Sequence, residues 1–297
     1  MPVQDVSQTP RVLLLISGKK AEEIGQARID AIIEAMQPAQ VTLEKTDAPE
    51  HAENTVRAQA DNFDCIAVGG GDGTLHAMAA VLCEAARPLL VIPLGTANDF
   101  ARTLDIPRDP VEAAALLNEG EARRIDLGEV NGIPFFNVAS IGLSVDIAER
   151  LAGVKKRWGV LSYLGGFFVV WRARRTFRVR ISCDGEWVSQ RSIQVSVGNG
   201  RYHGGGISVA DDASIEDGLL DVYALAPQPL WQLIWMLPAL LSGEQKYWRT
   251  VTTLRGREVS LVTRKPHRVN ADGELVSRTP AEFRIRRHAL EAIVPKK

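Results

Sequence analysis

The residues best equipped for chemistry in this 297-residue chain are carboxylates set beside glycines. Asp72 lies within Gly69-Gly70-Gly71-Asp72-Gly73-Thr74-Leu75, and Asp99 closes Gly95-Thr96-Ala97-Asn98-Asp99. Asp217 opens Asp217-Gly218-Leu219-Leu220-Asp221, and Asp272 and Glu274 flank Gly273. A glycine-rich turn between a strand and a helix lets successive N–H groups converge on a phosphate, and the helix amino end adds partial positive charge. An aspartate inside such an anion site makes sense when a divalent cation joins it. The stretch lacks the Lys-Ser/Thr ending of a P-loop and the spacing of the dinucleotide fingerprint. Taken alone, it is equally a tight turn with no ligand. Asp272-Gly273-Glu274 reads as a hairpin turn, as a carboxylate placed to accept a hydroxyl proton, or as both.

The elements that must position these groups follow from apolar spacing. Arg11–Ser17 reads as a buried parallel-type strand, Ala21–Met36 as an amphipathic helix, and Val41–Leu43 as a second strand followed by a helix over Asn54–Ala60. Cys65–Val68 and Leu89–Pro93 read as further buried strands, Thr74–Ala86 and Asp109–Asn118 as helices. This alternation predicts a parallel sheet with helices on both faces. Lys19, the triple glycine and Gly95–Asp99 then share the carboxyl edge, where such sheets bind ligands. Beyond about residue 130 the texture changes to short β-like runs broken by Gly, Asn and Asp, among them Phe177–Ser182, Ile193–Val197, Leu220–Ala224 and Glu258–Val262. That pattern predicts a β-sandwich or barrel. The expected organisation is therefore α/β plus β: an N-terminal α/β domain over residues 1–130 and a C-terminal β domain over 131–297.

Charge divides along the same line. Residues 1–140 hold eleven Lys and Arg against twenty-one Asp and Glu, net −10; residues 141–297 hold twenty-four against fifteen, net +9. A basic half suits an anionic partner or is simply a solvated surface. Trp158–Trp171, rich in Leu, Phe and Val, is flanked by Lys155, Lys156, Arg157, Arg172, Arg174 and Arg175, and a second apolar stretch spans Leu230–Leu241. Both are too short to span a bilayer, and either packs on the sandwich or meets a lipid interface. Cys65, Cys83 and Cys183 lie far apart and read as core residues of a reducing compartment. No secretory signal is recognisable, residues 1–10 read as a loosely attached start, and a cytoplasmic protein is expected.

The motifs in order (Gly-Gly-Asp-Gly-Thr, Pro93-Leu94-Gly95-Thr96-Ala97-Asn98-Asp99, Asn199-Gly200 with Gly204-Gly205-Gly206, Asp217-Gly218-Leu219-Leu220-Asp221 and Asp272-Gly273-Glu274) resemble the bacterial diacylglycerol-kinase-like lipid kinases of the YegS branch. The resemblance covers nearly the whole chain. It implies a fold of NAD-kinase/diacylglycerol-kinase type with a cleft between its domains, and an ATP- and Mg²⁺-dependent transfer of phosphate to a lipid hydroxyl. On this resemblance Gly69 to Leu75 and Thr96 would bind nucleotide. Thr42 would join them, with Thr46 its rival. Lys19 would form a charged network with Asp99 and Asp126. Glu274 would be the general base, with Asp272 as orienter or second base. Asp217, with main-chain oxygens of Ser214 and Leu219, would hold a structural or regulatory Mg²⁺ separate from that of ATP.

Three departures stand out. Leu15-Ile16 replaces the family's Asn-Pro, His76-Ala77 its Asn-Glu, and Asp211 its proline. The implied partner is a lipid such as diacylglycerol or phosphatidylglycerol at an anionic membrane surface, approached peripherally; nucleic acid is not expected, and a homodimer is compatible. A kinase of a soluble substrate related to NAD kinase and a non-catalytic nucleotide- or lipid-binding regulator are the rival readings.

Overall fold

The computed structural model describes residues 9–145, 176–200, 202–203, 207–208, 214–227 and 251–296. The expectations for residues 1–8, for both apolar stretches, for Gly204–Gly206 and for Asp211 lie outside them. The chain forms two compact units, residues 1–125 with 288–297 and residues 126–287.

In the first unit the order is β1 (Arg11–Ser17), α1 (Gly18–Ile24), α2 (Gln26–Ala35), β2 (Gln40–Thr46), α3 (Pro49–Gln59), β3 (Cys65–Gly70), α4 (Asp72–Ala85), β4 (Leu89–Pro93), α5 (Asp99–Thr103) and α6 (Pro110–Glu119). The strands lie parallel in the order β2-β1-β3-β4. Val12 to Ile16 are all at most 2% exposed, as a strand covered on both faces requires. The single helix expected over Ala21–Met36 is two helices, because Gly25 takes φ 78° between them. Strand order reverses between β1 and β3, so the turns leaving these two strands flank the topological switch point, where open α/β sheets bind ligands.

Asp109 caps α6. Its Oδ1 accepts the N–H groups of Val111 (2.8 Å) and Glu112 (3.3 Å), while Arg28 meets Oδ2. The Val111 N–H first, and Arg28 after it, hold this carboxyl below its usual range. Asp109→Ala is expected to cost about 1 kcal/mol at neutral pH. Because the folded-state pKa is the lower one, that contribution is complete above the unfolded carboxyl range and fades as pH falls through the folded value. Melting curves of both proteins across acid pH should therefore converge. Cys65, Cys83 and Cys183 form no disulfide, and burial pushes the Cys65 thiol up to about 12, which keeps it neutral.

The second unit is the β-sandwich. Its strands are β5 (Glu121–Val130), which enters it from the first unit, β6 (Ile133–Phe135), β7 (Val138–Gly142), β8 (Phe177–Cys183), β9 (Glu186–Ser192), β10 (Gln194–Gly198), β11 (Tyr202–His203), β12 (Ile207–Ser208), β13 (Leu220–Leu225), β14 (Val251–Gly256), β15 (Glu258–Thr263), β16 (Arg268–Ala271), β17 (Glu274–Arg278) and β18 (Ala281–Val294). One sheet runs β14-β13-β10-β7-β16-β17; the other carries β18-β15-β8-β9. Inward side chains of both sheets, including Ile141, Val197, Val222, Val179, Leu261 and Phe283, form one core. β18 is a long strand of 14 residues. It passes through His288, at φ 52°, and its far end pairs in parallel with β4 through Ala292 and Leu89. Residues 288–297 thus pack with the first compact unit.

Candidate functional site

The glycine stretch is tighter than a loop. Gly69 and Gly70 remain in β3, paired with Ile92 and Pro93, and α4 already starts at Asp72, so only Gly71 turns. None of Gly69, Gly70, Gly71, Gly73 and Gly95 takes a positive φ. Left-handed backbone is therefore not what these positions require; close approach is the reason for most of these glycines. A Cβ on Gly69 would stand 2.8 Å from Ile16 Cγ1, the side chain that replaces the family's proline. One on Gly70 would stand 2.6 Å from Thr74 Cβ, and one on Gly71 2.9 Å from Gly95 Cα.

Gly73 is different: a Cβ there meets nothing within 4 Å, and its backbone is one that alanine would adopt with a gain in helix stability. A glycine that internal packing does not require fits a site where a ligand must approach the main chain. The N–H groups of Thr74 and Leu75 already donate to the Gly71 carbonyl (3.0 and 3.1 Å), which leaves those of Asp72 and Gly73 at the helix start for a phosphate. Leu75 itself is buried, so its side chain belongs to the core and not to the ligand. Asp72 Oδ1 accepts the Phe100 N–H at 3.1 Å and so ties α4 to α5. Both ends of the Asn98 amide clamp Gly95, at 2.9 and 3.0 Å, and leave Thr96 exposed at the tip of that loop.

Of the two threonines on β2, Thr46 lies level with Ser17 at the carboxyl end and is buried, while Thr42 lies level with Leu13 and is exposed. Lys19 is exposed on α1. The expected network of Lys19, Asp99 and Asp126 draws on both units, and within its own unit each aspartate has a neighbour other than Lys19. Asp99, 6% exposed, faces Arg102 at 3.8 Å; Asp126, 1% exposed, accepts the Gly218 N–H at 2.8 Å. His76 is half-buried on α4.

In the sandwich, Ala271 pairs with Glu274, so Asp272-Gly273 is a two-residue hairpin turn with φ 48° and 99°, the left-handed pair that such turns demand. The Asp272 carboxylate accepts three main-chain N–H groups, from Phe136 (2.7 Å), Asn137 (2.9 Å) and Val138 (3.2 Å). A carboxylate so engaged is a positioning group, which sets aside its reading as a second base. It locks the turn that presents the exposed Glu274.

The metal expected at Asp217, Ser214 and Leu219 meets a different arrangement. Asp217 Oδ1 accepts the Leu219 N–H (2.9 Å), Oδ2 is bound by Arg255, and the same guanidinium reaches Asp221 at 3.4 Å. Ser214 turns its hydroxyl to the Glu216 N–H at 3.2 Å. Arg255 supplies the positive charge that a divalent cation would bring, so these residues do not fit a required structural metal. Without nucleotide, Mg²⁺ and a chelator should leave the melting temperature unchanged. Arg255→Gln should lose about 1 kcal/mol, as part-exposed ion pairs do, and become sensitive to Mg²⁺.

Two family models match the chain: the diacylglycerol kinase catalytic domain over residues 11–130, and the YegS C-terminal NAD kinase beta sandwich-like domain over residues 137–294. A protein of Pseudomonas aeruginosa PAO1 described as "Probable lipid kinase YegS-like" is 33% identical, covering 96% of this chain and 94% of its own. One of the same description from Pectobacterium atrosepticum is 35% identical over 94% of each chain. A solved structure from Bacillus anthracis str. Sterne has TM-score 0.80 at 26% identity, covering 97% of this chain and 98% of that one. The architecture is that of the diacylglycerol kinase-like enzymes. Within them, the chain belongs to the YegS-like lipid kinase family.

Proposed function

We propose that the protein transfers the γ-phosphoryl group of ATP to a hydroxyl of a membrane lipid. The observation that carries this reading is the exposed Glu274 on a turn that Asp272 fixes through three N–H bonds, in a chain whose other unit keeps an open helix start at Asp72-Gly73. Phosphoryl transfer asks little covalent chemistry of the protein; it asks that the acceptor be aligned and relieved of its proton. Glu274 accepts that proton. The main chain at Asp72 and Gly73 binds the phosphates, Thr96 contacts the nucleotide, and Asp72 is the carboxylate that would hold the Mg²⁺ accompanying ATP. That ion neutralises phosphate charge and orients the γ-phosphate when bound.

The acceptor comes from an anionic membrane surface, approached from the cytoplasmic side; among the described residues no helix is long and apolar enough to cross a membrane. The protein incubated with labelled ATP, Mg²⁺ and total lipid extract is expected to yield a labelled lipid. Label in water-soluble products alone would favour the soluble-substrate reading, and no transfer to any acceptor would favour a regulator.

A further inference from the structure

One end of the sandwich holds a cavity of about 1070 Å³, lined by Gly142, Val145, Thr176, Phe177 and Arg178 and by the β15–β16 connection from Arg264 to Arg268. Four of its lining residues, Arg178, Arg264, Lys265 and Arg268, are basic, and among the described lining residues none is acidic. Among the described residues Arg178, Arg264 and Lys265 enter no ion pair. Arg178 also stands directly across from Arg191 in the β8–β9 ladder, where like charges repel. Val145, Phe177 and Pro266 add an apolar wall, and the His267 ring rests on Phe177 with centroids 4.4 Å apart.

A concave cluster of cations, of which Arg178, Arg264 and Lys265 have no ion-pair partner among the described residues, is complementary to an anion, and the apolar wall beside it selects an amphiphile over a fully hydrated ion. We infer that this cavity is a docking site for the phosphate headgroup of an anionic phospholipid at the bilayer surface. It lies apart from the proposed base. Arg268 begins β16, and Ala271, at the other end of that strand, pairs with Glu274, a separation of about 10 Å at the rise of a β-strand. The lipid bound here therefore anchors the enzyme and is distinct from the acceptor. The inference rests on the lipid-kinase reading for its purpose, but its test does not.

The test is co-sedimentation of the full chain with vesicles of phosphatidylcholine, alone or mixed with phosphatidylglycerol. Wild type is expected to prefer the mixed vesicles. The triple variant Arg178→Gln, Arg264→Gln, Lys265→Gln, changed only at exposed positions, should bind them about 100-fold more weakly, since each basic residue near an anionic surface contributes about fivefold. Its melting temperature and its transfer to lipid in neutral detergent micelles should match wild type. Unchanged vesicle binding by the variant would overturn the site. Equal binding of wild type to both kinds of vesicle, together with binding of inorganic phosphate that the triple variant loses, would assign the cavity to free phosphate and overturn the phospholipid. Failure of the kinase reading would appear separately, as absence of labelled lipid in micelles whatever the vesicle binding.

Discussion

Glu274→Gln is expected to lower lipid phosphorylation by about 10²- to 10⁴-fold, the range that a positioned general base contributes. The substitution keeps the size of the side chain and replaces a proton acceptor with an amide. Glu274 is exposed at the start of β17 and the three-bond lock is made by Asp272, so folding should be untouched. Melting temperature and ATP binding should match wild type, which places the loss in the transfer step. Asp272→Asn is the informative contrast. It weakens the acceptor of three N–H bonds, so it should lower the melting temperature and reduce activity through a loosened turn. A Glu274→Gln enzyme as active as wild type would remove Glu274 from the mechanism and send the search for the base elsewhere.

Gly95→Ala is expected to disable nucleotide binding by overpacking. Its Cβ would lie 2.6 Å from Gly71 Cα and 2.6 Å from Asn98 Oδ1. The first contact is backbone, so no rotamer relieves it; the Gly95–Asn98 loop must move off the turn between β3 and α4. Overpacking of this kind costs about 1–3 kcal/mol. Calorimetric titration with ATP should show at least about a tenfold loss of affinity, and the protein should melt several degrees lower. Gly73→Ala separates packing from ligand approach. The new Cβ meets nothing within 4 Å, so the protein should be as stable as wild type or more so by up to about 1 kcal/mol. ATP affinity should nonetheless fall, because the methyl group occupies the side from which phosphate approaches. Gly73→Ala with full affinity would mean that the phosphates lie elsewhere.

Much of the fold is legible in the chain because its causes are local. Val12 to Ile16, Cys65 to Val68 and Leu89 to Ile92 are continuous apolar runs that can be satisfied only by burial on both faces, and they form the parallel sheet. Asp109-Pro110 announces the start of α6 through a capping carboxylate and a fixed φ. The Asp272-Gly273 turn is equally local, since two left-handed residues suffice to close it. Strands at sheet edges are harder to see. β2, β9, β14 and β17 each keep at most one fully buried residue and lack a clean alternation, because one long side of each faces solvent.

The sequence by itself determined the two architectures, the family and the residues able to bind phosphate or accept a proton, because ordered motifs and apolar spacing are properties of short segments. Only the tertiary structure decided what those residues do with their neighbours. Gly71 needs glycine because Gly95, on the next loop, closes on it. Asp272 is a lock because residues 136–138 bring three N–H groups to it across the sandwich. Asp217 has a cation because β14 carries Arg255 past it. The last strand returns to the first unit because β4 offers it an edge. Each of these pairings joins residues far apart in the chain, and their energy comes from contact, which spacing along a sequence does not encode.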